Sequence, residues 1–346
     1  MAMKLKNILI IKPSSLGDIV LALPALSALR RNFPDARISW LIRPEFAALL
    51  EHHPHLTEII FFDRKLLGKA WCHPGAFCSL LSLVRRLRRG KFDAVFDFQG
   101  LFRTAALAWV SGCKKRFGMA SARELAHLFY THKVQQDEHC VHVVDYYLKI
   151  IEAAGGADST VEFILPQDSA AMDSARKLLA EYNVGPDNYV VFVPGSTDPD
   201  KCWPVERFAA LAEKIASRFG LPIVATGTAS EAGFIERLST SAHVPVTNFA
   251  GRTTLGELIA LLRTARLVVS NDTGPGHIAA ALGTPLVLMY SWSNPARIAP
   301  YGRPECMVAR EPYSRGLKIK SRNPRHNVRN ITVDEVFQKV CQQITL

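Results

Sequence analysis

Apolar residues follow two rhythms along this chain. Unbroken apolar runs at residues 7–12 (NILIIK), 37–42 (RISWLI), 58–63 (EIIFFD) and 93–98 (DAVFDF) have the length of strands buried on both faces. Between them stand stretches of helical spacing, IVLALPALSALRRNF and SLLSLVRRLRRG. Buried strands alternating with helices predict a parallel sheet covered on either side, the α/β class. Residues 153–170 (AAGGADSTVEFILPQDSA) are small, polar and turn-forming, and read as a linker. The alternation then restarts with YVVFVPGS, RFAALAEKIASRFG, LPIVATGT, LGELIALLRTA, RLVVSNDTG, HIAAALG and PLVLMYS. The last stretch, ITVDEVFQKVCQQITL, reads as one helix capped by Thr332 or Asp334, able to pack on either half.

The pattern therefore predicts two Rossmann-like domains, residues 1–165 and 166–346. Open α/β sheets bind ligands beyond the carboxyl ends of their strands, which places the expected site in a cleft where the two halves face each other. A length of 346 residues agrees with two cores, and 48% apolar content is enough to fill them. The formal net charge of +11 points to an anionic partner. Basic residues outnumber acidic ones in both halves, and by more in residues 1–165. The cysteines, seven in number and without a C-x-x-C pair, read as reduced thiols. No apolar run approaches a bilayer span and the N-terminal run is short for a signal peptide, so a cytoplasmic location is expected.

Three loops, each after a predicted strand, carry candidate chemistry. In KPSSLGDIV, Asp18 opens a helix behind Gly17, either as a helix-start residue or as a carboxylate presented to ligand. In VPGSTDPDKCW, Ser196, Thr197 and Lys201 are groups that hold a diphosphate, and a solvated turn is the plain alternative. In SNDTGPGHIAAAL, a helix start at Thr273, Gly274 and His277 offers backbone N–H groups to an anion. Asp272 beside it is expected to pin the loop by accepting backbone N–H bonds.

With these loops in order, and with FDAVFDFQGLFRTAAL, RFGMASARELAHLFY and DKCWPVERF around them, the chain resembles glycosyltransferase family 9, the bacterial lipopolysaccharide heptosyltransferases. The resemblance runs nearly end to end. It implies the GT-B architecture and inverting transfer of L-glycero-D-manno-heptose from ADP-heptose to a Kdo-bearing lipid A acceptor. It assigns Asp18 as general base, with Lys12 orienting it or touching phosphate, and Glu231 as a ribose ligand, although an ordinary helix-start glutamate fits that position equally well. The N-terminal domain would take the acceptor through Arg64, Lys65, Lys69, Arg123 and His142, and the C-terminal domain the nucleotide sugar. The chain departs from the family pattern at Gly68, where a further cation is usual.

No metal or other cofactor is expected, on the reading that the chain carries no Asp-x-Asp metal motif, so protein groups must meet the charge of the departing diphosphate. The stretch SLVRRLRRGK reads either as a solvated helix face or as a peripheral contact with an anionic inner-membrane surface. The competing readings are a sugar-nucleotide epimerase of the same architecture and heptosyl transfer to a different saccharide acceptor. Nucleic acid is not an expected partner, because the basic clusters are bordered in sequence by aliphatic rather than aromatic residues.

Overall fold

The computed structural model describes residues 4–68 and 72–345. The chain divides into two compact units, Met1–Pro166 and Gln167–Leu346. The first holds a six-stranded parallel sheet of β1 (Asn7–Ile11), β2 (Arg37–Ile42), β3 (Glu58–Phe61), β4 (Ala94–Asp97), β5 (Arg116–Met119) and β6 (His132–Val134), in the order β3-β2-β1-β4-β5-β6. The second repeats the plan with β7 (Val190–Val193), β8 (Ile223–Ala225), β9 (Val246–Asn248), β10 (Leu267–Asn271), β11 (Leu286–Met289) and β12 (Met307–Val308), in the order β12-β11-β10-β7-β8-β9. Both are doubly wound sheets.

The central strands are buried on both faces, as their unbroken apolar runs require. Ile8, Leu9, Ile10 and Ile11 of β1 are wholly inaccessible, each such side chain contributing about 1.5–3 kcal/mol relative to exposure. The expected helix over residues 19–33 is broken into Leu16–Val20 and Leu23–Asn32. Pro24 is the reason. A proline inside a continuous helix would lose an N–H bond and clash with the preceding turn, whereas in the first turn of a second helix it costs nothing.

The segment read as a linker is partly fastened down. Arg31 Nε pairs with Asp158 Oδ2 at 2.9 Å and Nη1 with Glu162 Oε2 at 2.7 Å, while Asn32 Oδ1 accepts from the backbone N–H of Ala157 and Asp158. Residues up to Glu162 thus belong to the first unit's fabric, and the next helix starts at Asp168, which caps Ser169–Ala180. The C-terminal helix is Val333–Ile344 with Thr332 as its cap. It joins the second unit, whose core takes in Val336, Val340 and Ile344.

Candidate active site

Each sheet changes winding direction once, between β1 and β4 in the first unit and between β7 and β10 in the second. Loops leaving neighbouring strands diverge at such a point and open a crevice at the carboxyl edge, where side chains from both can meet. Both crevices carry charged clusters, in which residues of the loops singled out in the sequence meet others.

In the first unit, β1 runs into Lys12, which is 4% exposed. A lone buried ammonium costs several kcal/mol, so partners are obligatory. Lys12 Nζ lies 3.9 Å from Asp18 Oδ2 and 5.9 Å from the centroid of the Tyr147 ring, and Trp40 Nε1–H donates to its carbonyl at 3.1 Å. Burial pulls the Lys12 ammonium down, but Asp18, Tyr147 and Asp97 outweigh it and hold it above the usual lysine value. Asp18 does both things its position allows. It receives Ser15 N–H at 3.2 Å and Ser15 Oγ–H at 2.8 Å as the carboxylate of a helix start, and its side chain, 45% exposed, still reaches solvent.

Asp97, at the end of β4 and wholly buried, was not singled out by the sequence. It accepts Tyr130 Oη–H at 2.8 Å and the N–H groups of Gln99 and Gly100 at 2.9 and 3.2 Å. Burial raises its carboxyl against those bonds. The pairing of Ile11 with Asp97 across β1 and β4 places it one residue from Lys12 on the adjoining strand. The switch-point rule, applied to DAVFDF, is the signal that would have found it.

In the second unit, Asp272 is 5% exposed and stands between three side chains. Lys201 Nζ donates to its Oδ2 at 2.6 Å, Ser293 Oγ–H to the same oxygen at 2.5 Å, and His277 Nε2 lies 3.4 Å from Oδ1. Burial alone would raise this carboxyl; the His277 and Lys201 contacts overcome it and hold it well below the usual carboxylate range. The expectation that Asp272 ties the loop through backbone N–H groups is corrected, since its hydrogen bonds come from side chains. The tying falls to Asn271, whose Oδ1 accepts Trp203 N–H at 3.1 Å and whose Nδ2 donates to Pro194 O at 2.7 Å. Asn271 and Ser293 also escaped the sequence reading.

Thr273 caps the Gly274–Leu282 helix without a side-chain bond into it. Its hydroxyl donates instead to Asn271 O at 3.3 Å. A helix start leaves its first N–H groups without intrahelical partners, which suits an anion. Gly276 is required by packing, because a Cβ there would lie 2.5 Å from Leu288 Cδ1 and 3.0 Å from Ser270 Oγ.

After β7, Ser196 Oγ accepts the N–H of Asp198 at 3.2 Å and Thr197 is exposed. Glu231, after β8, reaches the same loop. Its Oε2 accepts Thr228 N–H and Oγ1–H at 2.7 and 2.9 Å, and a Cβ on Gly195 would fall 2.1 Å from its Oε1. An Asp-x-Asp sequence does occur here, Asp198-Pro199-Asp200, which corrects the ground given for expecting no metal. Asp198 Oδ1 accepts the N–H of Asp200, and its Oδ2 lies 3.3 Å from Lys320 Nζ. Among the described residues no three His, Cys, Asp or Glu side chains gather as a metal site.

Of the residues expected to meet the acceptor, Arg64 follows β3, Arg123 follows β5 and His142 follows β6, on segments that leave the carboxyl edge of the first sheet. Arg64 and Arg123 are exposed. Lys65 lies in the short Arg64–Leu67 helix, and Lys69 falls outside the described residues. His142 caps Val143–Glu152, its Nδ1 accepting Val144 N–H at 3.2 Å.

Comparison with known proteins places this geometry in context. The model of the family described as glycosyltransferase family 9 (heptosyltransferase) matches residues 80–326. The chain is similar to the lipopolysaccharide core heptosyltransferase OpsX of Haemophilus influenzae, with 29% identity over 315 residues covering 88% of this chain and 84% of the relative. It is similar also to lipopolysaccharide heptosyltransferase 1 of Escherichia coli O18:K1:H7, with 30% identity over 316 residues covering 88% and 92%. The solved structure of the E. coli heptosyltransferase WaaC with ADP superposes with a TM-score of 0.74 at 27% identity, covering 97% of this chain and 99% of that one.

Proposed function

The chain belongs to glycosyltransferase family 9, the heptosyltransferases, and we propose that it transfers L-glycero-D-manno-heptose from ADP-heptose to the Kdo-bearing inner core of lipid A with inversion at the anomeric carbon. Its two doubly wound units are those of the GT-B architecture. In this reading the second unit holds the donor and the first presents the acceptor hydroxyl. The observation that carries it is the pair of charged clusters at the two switch points, a half-exposed carboxylate in one and Lys201, Asp272 and His277 gathered at a helix start in the other.

Asp18 takes the proton of the acceptor hydroxyl as its oxygen attacks the anomeric carbon, a role generally contributing about 10²–10⁴ in rate. The bond to the β-phosphate breaks in the same displacement. Charge then grows on the diphosphate, where Lys201, His277 and the N–H groups at Gly274 and Gly276 lie in wait, held in place before the reaction rather than reorganised during it. Asp272 does the holding: it keeps the Lys201 ammonium within 2.6 Å and His277 within 3.4 Å of fixed oxygens. Glu231 Oε1, beside Gly195, is offered to the ribose hydroxyls. In this reading Lys12, buried and 3.9 Å from Asp18, fixes that carboxylate rather than reaching phosphate.

A transfer assay with ADP-heptose and purified acceptors of increasing core length tests the proposal. Asp18→Asn should lower kcat by about 10²–10⁴ while ADP binding stays at the wild-type level. Turnover retained by that variant removes Asp18 as base, and sugar altered without any acceptor points to an epimerase instead.

A further inference from the structure

One face of the first unit is apolar and exposed. Phe102 (49% exposed), Trp109 (58%), Leu125 (63%) and Leu128 (64%) lie on the Phe102–Val110 helix and on the turn that packs against it, Ala126–Phe129. Phe129 joins them, its ring centroid 5.4 Å from that of Phe102 and 6.4 Å from that of Trp109. The result is an apolar strip shared by the helix and the turn packed on it. Its turn is strained toward this end: Glu124 and Leu125 both adopt left-handed backbone, φ 56° and 59°, a conformation that costs a bulky residue free energy and persists only when something holds it.

The chain that carries the strip is strongly basic. Residues 101–129 contain Arg103, Lys114, Lys115, Arg116 and Arg123 against the single acid Glu124. The neighbouring Pro74–Arg89 helix is tied in by Arg88 Nε–H, which donates to Val110 O at 3.0 Å, and adds exposed Arg85 and Arg89. The basic helix noticed in the sequence is therefore the rim of an aromatic and aliphatic patch. Aromatics bordered by cations also suit single-stranded nucleic acid, but there the rings must offer open faces to bases. Here Phe102 and Phe129 meet edge to face at 83°, and half of the exposed apolar side chains are leucines.

We infer that this face docks the protein on a bilayer surface containing anionic phospholipid, with Trp109, Leu125, Leu128 and Phe102 entering the headgroup region and the arginines and lysines answering lipid phosphate. No helix among the described residues is long enough and apolar enough to cross a membrane, so the contact is peripheral. The strip begins beside Arg123, whose N–H donates to Gly100 O at 3.0 Å at the carboxyl edge of the sheet. Building on the proposed function, that places the membrane next to the edge where a lipid-anchored acceptor would enter.

The test is co-sedimentation of the full chain with vesicles of phosphatidylethanolamine and phosphatidylglycerol, against phosphatidylcholine vesicles. The wild type should partition onto the anionic vesicles with a blue shift of emission that Trp109→Phe abolishes. The triple variant Trp109→Ser, Leu125→Ser, Leu128→Ser, all at exposed positions, should lose roughly tenfold or more of that partition, with its far-ultraviolet circular dichroism unchanged. Arg85→Gln with Arg89→Gln should lose the salt-sensitive part. Partition unaltered by the triple substitution, equal partition onto phosphatidylcholine, or displacement of the vesicles by single-stranded RNA overturns the inference. Transfer to detergent-dispersed acceptor should match wild type in the triple variant. A chain that partitions as described yet transfers nothing sinks the proposed activity and leaves the docking face standing.

Discussion

Adding a single methyl group at Gly195 tests the placement of Glu231 directly. A Cβ at that position would sit 2.1 Å from Glu231 Oε1, 2.3 Å from Cδ and 3.0 Å from Cγ, where ordinary contacts are about 3.5–4.0 Å. Glu231 must swing aside by more than an ångström. In doing so it releases Thr228 N–H and Oγ1–H, now at 2.7 and 2.9 Å. Losing that cap should cost about 1 kcal/mol, which for a unit of this size lowers its melting temperature by roughly 2–4 °C. If Glu231 also accepts ribose hydroxyls, charge-assisted bonds of about 1.5–3 kcal/mol go with it, a loss of roughly 10- to 150-fold in ADP affinity. Isothermal titration with ADP should show that loss in Gly195→Ala, and a similar one in Glu231→Ala. The decisive sample is the double variant. With Glu231 truncated the methyl meets no carboxylate, so Gly195→Ala should add little to Glu231→Ala. Penalties that simply add, or a Gly195→Ala protein that binds ADP like the wild type, would refute the reasoning.

Three further outcomes follow from the same geometry. Lys201→Met and Asp272→Asn should each destabilise the protein by about 2–5 kcal/mol, since each strands a partner of a buried pair, and the double variant should recover about 1–3 kcal/mol relative to the sum in denaturant titrations; strict additivity would show that the 2.6 Å contact carries no coupling. His53, 4% exposed, is lowered to about 4 by burial first and by neighbouring His55 second. The unfolded chain therefore binds a proton below pH 6.5 that the folded chain refuses until about pH 4, so stability is full above 6.5 and falls as pH drops, by about 3 kcal/mol across the window. Melting curves of wild type and His53→Leu over that range should converge, and parallel curves count against it. Tyr130→Phe removes the 2.8 Å donor from buried Asp97 and should cost about 1–3 kcal/mol in thermal unfolding; an unchanged melting temperature would mean that Asp97 has another donor in reserve.

Much of the fold can be read directly from residue order. Runs such as NILIIK and RLVVSN are short and apolar on consecutive positions, which suits a strand covered on both faces, so the central strands of both sheets announce themselves. The edge strands do not: β6 is His132–Val134, two of its three residues exposed, and β12 is two residues long, too short for any period to show. The Leu16–Val20 and Leu23–Asn32 break lies in the sequence as Pro24, yet the apolar spacing runs across it.

The site divides in the same way. Residue types and their place after strands suffice to single out Asp18, Lys201, Asp272 and His277, because glycine-bearing loops that open helices are local features, whereas Glu231 comes only from the family resemblance. The meeting of those residues is another matter. Lys201 finds Asp272 across 71 residues of chain, and Tyr130 finds Asp97 across 33, because β7 adjoins β10 and β4 lies one strand from both β1 and β5. Strand order is a property of the folded sheet, settled by which faces pack and which crossovers fit, and nothing in the spacing of two loops along the chain encodes it. Whether Asp272 ties its loop through backbone N–H groups or pairs with Lys201 and His277, and whether an exposed tryptophan stands alone or completes a strip, was therefore decided only in three dimensions, where burial fixes which charges must be paired.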